Sequence, residues 1–249
     1  MVDIHTHILP GIDDGARDIY DTLEMAQIAA DNGITDIVAT PHCNIPGLYS
    51  NYYSEAYKSV FLKAKRAIRD EGIPVRLYPG MEVYITEDVP ALMAAGKIMP
   101  INSSRYVLME FAFDSDPEFA NYMLAKIYKM RVIPLIAHIE RYYFLQDDPD
   151  LALEWRRRGY VLQCNKGSFQ GHFGRREQHT AYDLLDQGLV DVIATDCHRP
   201  YRRTPNVEEI YESLLMDYPE SYMKHVFEEN PRRLIHNQPF VVYGSRRER

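Results

Sequence analysis

The sequence predicts an α/β protein built on a parallel sheet, either closed as a barrel or open and doubly wound. Two observations carry this. Short apolar, β-branched runs alternate with longer amphipathic segments along the 249 residues, the rhythm of βαβ units. The runs are continuously apolar, as strands buried on both faces are. The length suits one large α/β domain. A chain with 46% hydrophobic and 26% charged residues has the balance of a globular protein.

VDIH (2–5) is the first strand-like run. In IYDTLEMAQIAADNG (19–33), Ile19, Leu23, Ala26 and Ala30 form one helical stripe, and Gly33 stands where a helix C-cap belongs. DIVATPH (36–42) is the second run, and SEAYKSVFLKAKRAIRDEG (54–72) is a helix closed in the same way by Gly72. VRLYPGMEVY (75–84), RYVLMEFA (105–112), VIPLIAHIE (132–140) and YVLQCNK (160–166) are the next four runs. TAYDLLDQG (180–188) reads as a helix ended by Gly188, before the seventh run, VDVIATDCH (190–198). NVEEIYESLLMDY (206–218) and the residues after it read as helical cover. No repeat, low-complexity block or linker interrupts this order. We therefore expect one domain over 1–240 and a short tail over 241–249, ending in the basic GSRRER.

A net charge of −8 argues against general binding to nucleic acid or to anionic membrane. An anionic substrate would need a local source of positive charge. The start has no basic segment ahead of an apolar one, and no stretch reaches the roughly 18 apolar residues of a membrane span. Three cysteines without CxxC spacing (Cys43, Cys164, Cys197) suit a reduced, cytoplasmic protein without structural disulfides. Oligomeric state is not encoded legibly.

The chemistry lies at the ends of the runs. His5 and His7 close the first, and His42 closes the second. Glu82, Glu110 and His138 come near the ends of the third, fourth and fifth. Asp196 and His198 close the seventh. Only the sixth run lacks such a residue, offering Asn165 and Lys166. In parallel α/β barrels this rim is where active sites are built. His5 and His7 are two apart on an extended chain, so they face the same way, and Asp196 and His198 repeat that spacing.

Each residue alone has an ordinary explanation. A histidine at a strand end is commonly a hydrogen-bonded loop residue, Glu110 resembles a solvated turn residue, and Asp13-Asp14-Gly15 resembles a turn. Their coincidence weakens those explanations, because five of the nine histidines fall at predicted strand ends. The other four, His172, His179, His225 and His236, are expected to be structural or superficial. A pocket with that many imidazoles and carboxylates needs cations, and its ligands exceed the four to six or so that one ion takes. Two or three metal ions are implied. Ions about 4 Å apart make hydroxide near neutral pH and clamp substrate oxygens.

DIHTHILPGIDDG, TPH, GMEVY, MEF, AHIER and TDCH, in that order, resemble the polymerase and histidinol phosphatase (PHP) superfamily. DIHTHILPGIDDGA and HIERY resemble its branch of bacterial metal-dependent protein-tyrosine phosphatases, found with capsule and exopolysaccharide genes. The resemblance spans roughly residues 1–240 and implies a distorted, TIM-like (β/α)7 barrel. It also implies three divalent ions, usually manganese, with iron, zinc or magnesium as alternatives.

Carried over by position, His5, His7, Glu82 and Asp196 would hold one ion. Glu82 would bridge to a second, shared with Glu110 and His138. Asp14, His42, Glu110 and His198 would surround the third. Arg141 and Arg203 match the arginines that bind phosphate, although Arg199 and Arg202 compete for the second role. The register of the loop decides between Asp13 and Asp14. The family motif selects Asp14, leaving Asp13 to orient a histidine.

The implied function is hydrolysis of phosphotyrosine through attack by a metal-bridging hydroxide. The implied partner is a phosphotyrosine protein, namely the tyrosine-rich tail of a bacterial tyrosine kinase governing polysaccharide export. The alternatives are a histidinol-phosphate or other small phosphomonoester phosphatase of the superfamily, and a catalytically silent binding partner. No ligand position is missing that would favour the silent reading.

A rival signature overlaps the last motif. Cys197 to Thr204 fits C-x5-R-[ST], the pattern of cysteine-dependent tyrosine phosphatases. Such a loop turns backbone N–H groups onto phosphate. This one has no glycine, contains Pro200 without an N–H, and sets Cys197 between two residues that face the other way. The match is read as coincidence.

Overall fold

The computed structural model describes residues 1–243. Nine parallel strands form among them: β1 (Val2–Thr6), β2 (Asp36–Ala39), β3 (His42–Cys43), β4 (Arg76–Pro79), β5 (Glu82–Tyr84), β6 (Tyr106–Glu110), β7 (Ile133–Ile136), β8 (Val161–Asn165) and β9 (Val192–Ala194). They group as β1-β2-β4 and as β3-β5-β6-β7-β8-β9.

The nine strands make seven staves. β2 and β3 are the halves of the second predicted run, broken at Thr40-Pro41. β4 and β5 are the halves of the third, broken at Gly80-Met81. Asp36 pairs with Arg76 below the break and His42 with Glu82 above it, so one register passes through both. Proline removes a ladder donor at the first break. At the second, a Cβ on Gly80 would lie 2.8 Å from Val38 Cγ1, so the staves approach too closely for any side chain there.

Closure is confined to the upper half of the barrel. Thr6 bridges Cys197, His7 N–H donates to the Cys197 carbonyl at 2.9 Å, and Asp196 N–H donates to the His5 carbonyl at 2.9 Å. In the lower half β4 does not pair with β6, since β6 bonds only β5 and β7. This is the distorted (β/α)7 barrel that the resemblance implied.

The apolar side chains divide into two cores. Val2, Ile4, Val38, Leu108, Leu135, Val161 and Val192 fill the interior, and Leu234 and Ile235 of the helix Asn230–Ile235 join them. A larger core lies between barrel and outer helices, including Met25 and Ala26 of Ile19–Asp31, Phe61 and Ile68 of Glu55–Asp70, and Leu184 of Arg175–Asp186. The last of these helices starts five residues before the predicted TAYDLLDQG segment.

The tail expected from residue 241 begins as packed chain. Val241 N–H donates to Asn230 Oδ1 at 2.9 Å, the Val241 carbonyl accepts from His225 Nε2 at 2.8 Å, and the Tyr243 ring stacks on Tyr222 at 4.3 Å. GSRRER (244–249) lies outside the described residues.

Candidate metal centre

A bulge in β1 aims the first two histidines. Between Asp3 and Thr6 the strand carries one more residue than β2 carries between Ile37 and Ala39. An extra residue changes which face the following side chains take. Val2 and Ile4 therefore fill the barrel while His5 and His7 both enter the site. His5 Nε2 lies 3.1 Å from Glu82 Oε1 and 3.5 Å from Asp196 Oδ1. His7 Nε2 lies 3.3 Å from both Glu82 Oε2 and Asp196 Oδ1.

The loop after β1 adds the two aspartates in different roles. Asp13 faces inward to the protein, accepting from His7 Nδ1 at 2.8 Å, His42 N–H at 3.0 Å and Gly15 N–H at 2.9 Å. Asp14 faces the mouth, with Oδ1 3.5 Å from His42 Nε2 and 3.4 Å from His198 Nε2. The loop packs so closely that a Cβ on Gly15 would lie 2.1 Å from the His7 carbonyl oxygen.

The remaining staves complete the cluster. His42 Nδ1 is 3.0 Å from both Glu82 Oε2 and Glu110 Oε1. His138 Nε2 is 3.0 Å from Glu82 Oε1 and 3.7 Å from Glu110 Oε2. His138, Asp196 and Arg203 all have left-handed backbones, with φ of 34°, 50° and 51°. Each such non-glycine residue costs of order 1–3 kcal/mol and is held by its surroundings.

The donor set fits divalent cations. His5 Nε2, His7 Nε2, Glu82 Oε2 and Asp196 Oδ1 are buried and have no hydrogen-bond partner, an expensive state unless a cation satisfies them. The outer nitrogens are tied to acceptors: His5 Nδ1 donates to Gln163 Oε1 at 3.1 Å, His7 Nδ1 to Asp13, and His198 Nδ1 to the Asp196 carbonyl at 3.0 Å. Each tie leaves a lone pair on the inward Nε2, the state of a metal-ligating imidazole.

Three sets have ligand atoms all within 4.8 Å of one another: His7, Asp14, His42 and His198; His5, His7 and Asp196; His42, Glu82 and Glu110. Eight of the nine predicted ligands fall in these sets, and the ninth, His138, adjoins them through Glu82 at 3.0 Å. The sets differ in detail from those the resemblance implied, since His42 rather than His138 groups with Glu82 and Glu110.

The electrostatics match. Burial alone would raise Glu82, yet His5 and His42 beside it outweigh burial and hold its carboxyl well below the usual range. Burial would likewise raise Asp196, but Arg203 and His5 hold it well below. Burial opposes charge on His42 and His138, and the carboxylates outweigh it, Glu82 foremost at His42 and Glu110 at His138. Their pKa values rise to about 10 and about 9. The carboxylates draw positive charge into the site, which protons on imidazole satisfy in the absence of cations.

Arg141 and Arg203 stand beside this cluster. Arg141 ends the turn Ile139–Arg141, lies between the rings of Phe113 and Phe173 at 4.2 and 4.4 Å, and reaches to 3.9 Å from Asp196 Oδ2. Arg203 donates from Nη2 to Asp196 Oδ2, and its guanidinium lies 5.6 Å from the Phe173 ring. Of the two competitors, Arg199 is engaged elsewhere, donating to the Gly15 carbonyl and facing Asp21 at 3.4 Å. Arg202 is exposed.

Cys197 is buried on the closing seam, and burial pushes its thiol up to about 12. At neutral pH it is no thiolate nucleophile. His172 and His179 are exposed, His225 bonds the Val241 carbonyl, and His236 lies against Tyr78.

Sequence reasoning misses Phe113, Phe173, Gln163 and Asn165 as parts of the site. The two amides do leave a signal. Gln163 and Asn165 are polar, two apart, and lie in an otherwise apolar run.

Fold and site define a class: parallel barrels carrying a histidine–carboxylate cluster and paired arginines at the C-terminal rim. The family model for capsular polysaccharide synthesis, CpsB/CapC, matches residues 1–236, and the chain belongs to that family. Tyrosine-protein phosphatase YwqE of Bacillus subtilis (strain 168) is 33% identical over 238 residues, covering 96% of this chain and 92% of that one. Tyrosine-protein phosphatase CpsB of Streptococcus pneumoniae is 28% identical over 243 residues, covering 96% and 99%. A crystal structure from work on those two proteins, described as metal-dependent tyrosine phosphatases, matches with a TM-score of 0.91 and 31% identity over 98% of each chain. A phosphotriesterase from Mycobacterium tuberculosis, 11% identical with a TM-score of 0.64, shares the fold. Among the described residues no helix is long and apolar enough to cross a membrane.

Proposed function

We propose that this chain is a metal-dependent protein-tyrosine phosphatase of the cytoplasm. The observation that carries the reading is the junction of two features: a histidine–carboxylate cluster of eight residues with His138 against its Glu82, and two arginines converging on Asp196 at its edge. His5, His7, Asp14, His42, Glu82, Glu110, His138, Asp196 and His198 hold up to three divalent ions, manganese foremost. Bound ions supply a nucleophilic water of low pKa and Lewis acidity toward phosphate oxygens.

The chain's own groups do the rest. Arg141 and Arg203 bind equatorial phosphate oxygens through charge-assisted bonds that strengthen as charge spreads in the transition state. Phe113 and Phe173 hold the Arg141 guanidinium plane. Asp13 and the backbone around it fix His7 and His42 before substrate arrives, so little reorganisation remains. The phenolate leaving group has a pKa near 10 and needs no strong acid.

The mouth is open. The Asp14 side chain is 51% exposed and that of Arg203 28%, which favours phosphotyrosine on a protein over a small, enclosed ester. A tyrosine kinase serving polysaccharide export is the substrate proposed.

The test is hydrolysis of a phosphotyrosine peptide by metal-stripped protein, with and without Mn²⁺, beside Cys197→Ser. Activity that returns only with metal and persists in the serine variant supports the reading. Activity that survives stripping and is lost in Cys197→Ser overturns it.

A further inference from the structure

β8 is the one stave that brings no imidazole or carboxylate to the rim, yet its two inward side chains touch three others. Gln163 Oε1 accepts from His5 Nδ1 at 3.1 Å and from the His138 backbone N–H at 3.0 Å. Gln163 Nε2 donates to Asn165 Oδ1 at 2.9 Å. Asn165 Nδ2 donates to Asp196 Oδ2 at 2.6 Å. Gln163, Asn165 and His5 are fully buried, and His138 and Asp196 are nearly so.

The direction of this chain of bonds is forced at both ends. A backbone N–H can only donate, so the atom of Gln163 facing His138 is its oxygen. The amide nitrogen must then face Asn165, whose oxygen accepts and whose nitrogen is left for the carboxylate. An ionised carboxylate can only accept, so the far end agrees. The Gln163 oxygen in turn compels His5 Nδ1 to carry its proton, which leaves the lone pair on Nε2, inside the cluster.

We propose that Gln163 and Asn165 are positioning residues. They form a one-way hydrogen-bond relay that sets His5 to present a lone pair and Asp196 to present a single oxygen to the cation site. The inference rests on the metal reading above.

The effect on Asp196 is specific. Its Oδ2 takes bonds from Asn165 and from Arg203, while Oδ1 faces His5 and His7 without a hydrogen-bond partner. If Arg203 turns to a substrate phosphate, Asn165 still holds Oδ2, and the carboxylate cannot rotate to offer both oxygens. The relay itself is anchored: Asn165 N–H donates to Glu140 Oε1 at 3.1 Å, and Ser168 Oγ donates to the same oxygen at 2.5 Å. Three staves, β1, β7 and β9, are thereby tied through β8.

The test compares Gln163→Met and Asn165→Ala with the unaltered chain and with Leu234→Ala, a cavity variant in the interior core on the helix Asn230–Ile235, away from the rim. Stripped proteins are titrated with Mn²⁺ by calorimetry, and the visible spectrum is recorded with Co²⁺ bound. The relay predicts about 10- to 100-fold weaker metal binding in both relay variants, and a changed cobalt spectrum. Leu234→Ala loses thermal stability but keeps the affinity and spectrum of the unaltered chain. Should Gln163→Met not fold, Asn165→Ala alone decides, because it leaves the bonds to His5 and His138 in place. Relay variants that match the unaltered chain in affinity and spectrum overturn the relay and leave the metal reading standing. An unaltered chain that takes up no divalent ion overturns both.

Discussion

Arg203 shows how a single residue separates candidates that the sequence could not. Three arginines lie within five positions after His198, and their charge is identical. One donates to a loop carbonyl, one faces solvent, and one reaches Asp196. Arg203→Ala is therefore expected to lower kcat/KM on a phosphotyrosine peptide by about 10²-fold, the usual effect of removing one charge-stabilising donor. Arg202→Ala leaves kcat/KM unchanged. Steady-state kinetics on the two variants check this, and equal losses would refute the assignment. The same scale resolves the aspartate pair, since one residue of register turns Asp13 toward Nδ1 of His7 and Asp14 toward the mouth.

At the scale of elements, the loop after β1 is the tightest part of the site. Gly15 N–H caps Asp13, the Gly15 carbonyl accepts from Arg199, and the Gly15 Cα sits against His7. A methyl group there meets backbone, which cannot yield as a flexible side chain does. Gly15→Ala is expected to displace Asp13 and Asp14, weakening metal binding far more than it lowers thermal stability. Calorimetric metal titration beside a melting curve measures both. A variant with unaltered affinity would show that the loop relaxes without moving its aspartates. The β1 bulge belongs to this scale too. It is an extra residue that no local pattern announces, and it decides which face His5 and His7 occupy.

Across the whole molecule, the cluster sits on the seam where the barrel closes. His5 and His7 come from the first stave, Asp196 and His198 from the last, and few backbone bonds join the two. Cations shared by these residues would fasten the ends of the barrel as well as serve the chemistry. Ligand at a hundred times its Kd stabilises a folded protein by about 2.7 kcal/mol. In a chain of this size that is worth about 2–4 °C per kcal/mol. Stripped protein is thus expected to melt about 5–10 °C below protein saturated with Mn²⁺, as differential scanning calorimetry would register. Equal melting temperatures would mean that the seam holds without metal.

The seven staves, their parallel order and the rim on which the chemistry falls are legible in the sequence, because apolar periodicity and strand-end residues are local signals. So are eight of the nine candidate ligands, as histidines and carboxylates set one after another at predicted strand ends, while Asp14, in the loop after the first run, is supplied by the family motif. The breaks in the second and third staves, the bulge in β1 and the arginine that reaches the cluster are not legible. Those depend on how closely neighbouring staves approach and on which side a loop returns. The roles of Gln163 and Asn165 are hidden for the same reason. An amide inside an apolar run is only an oddity until the barrel closes and sets it between a histidine of the first stave and an aspartate of the last. That placement belongs to the folded barrel alone, since the partners are 158 and 31 residues away along the chain.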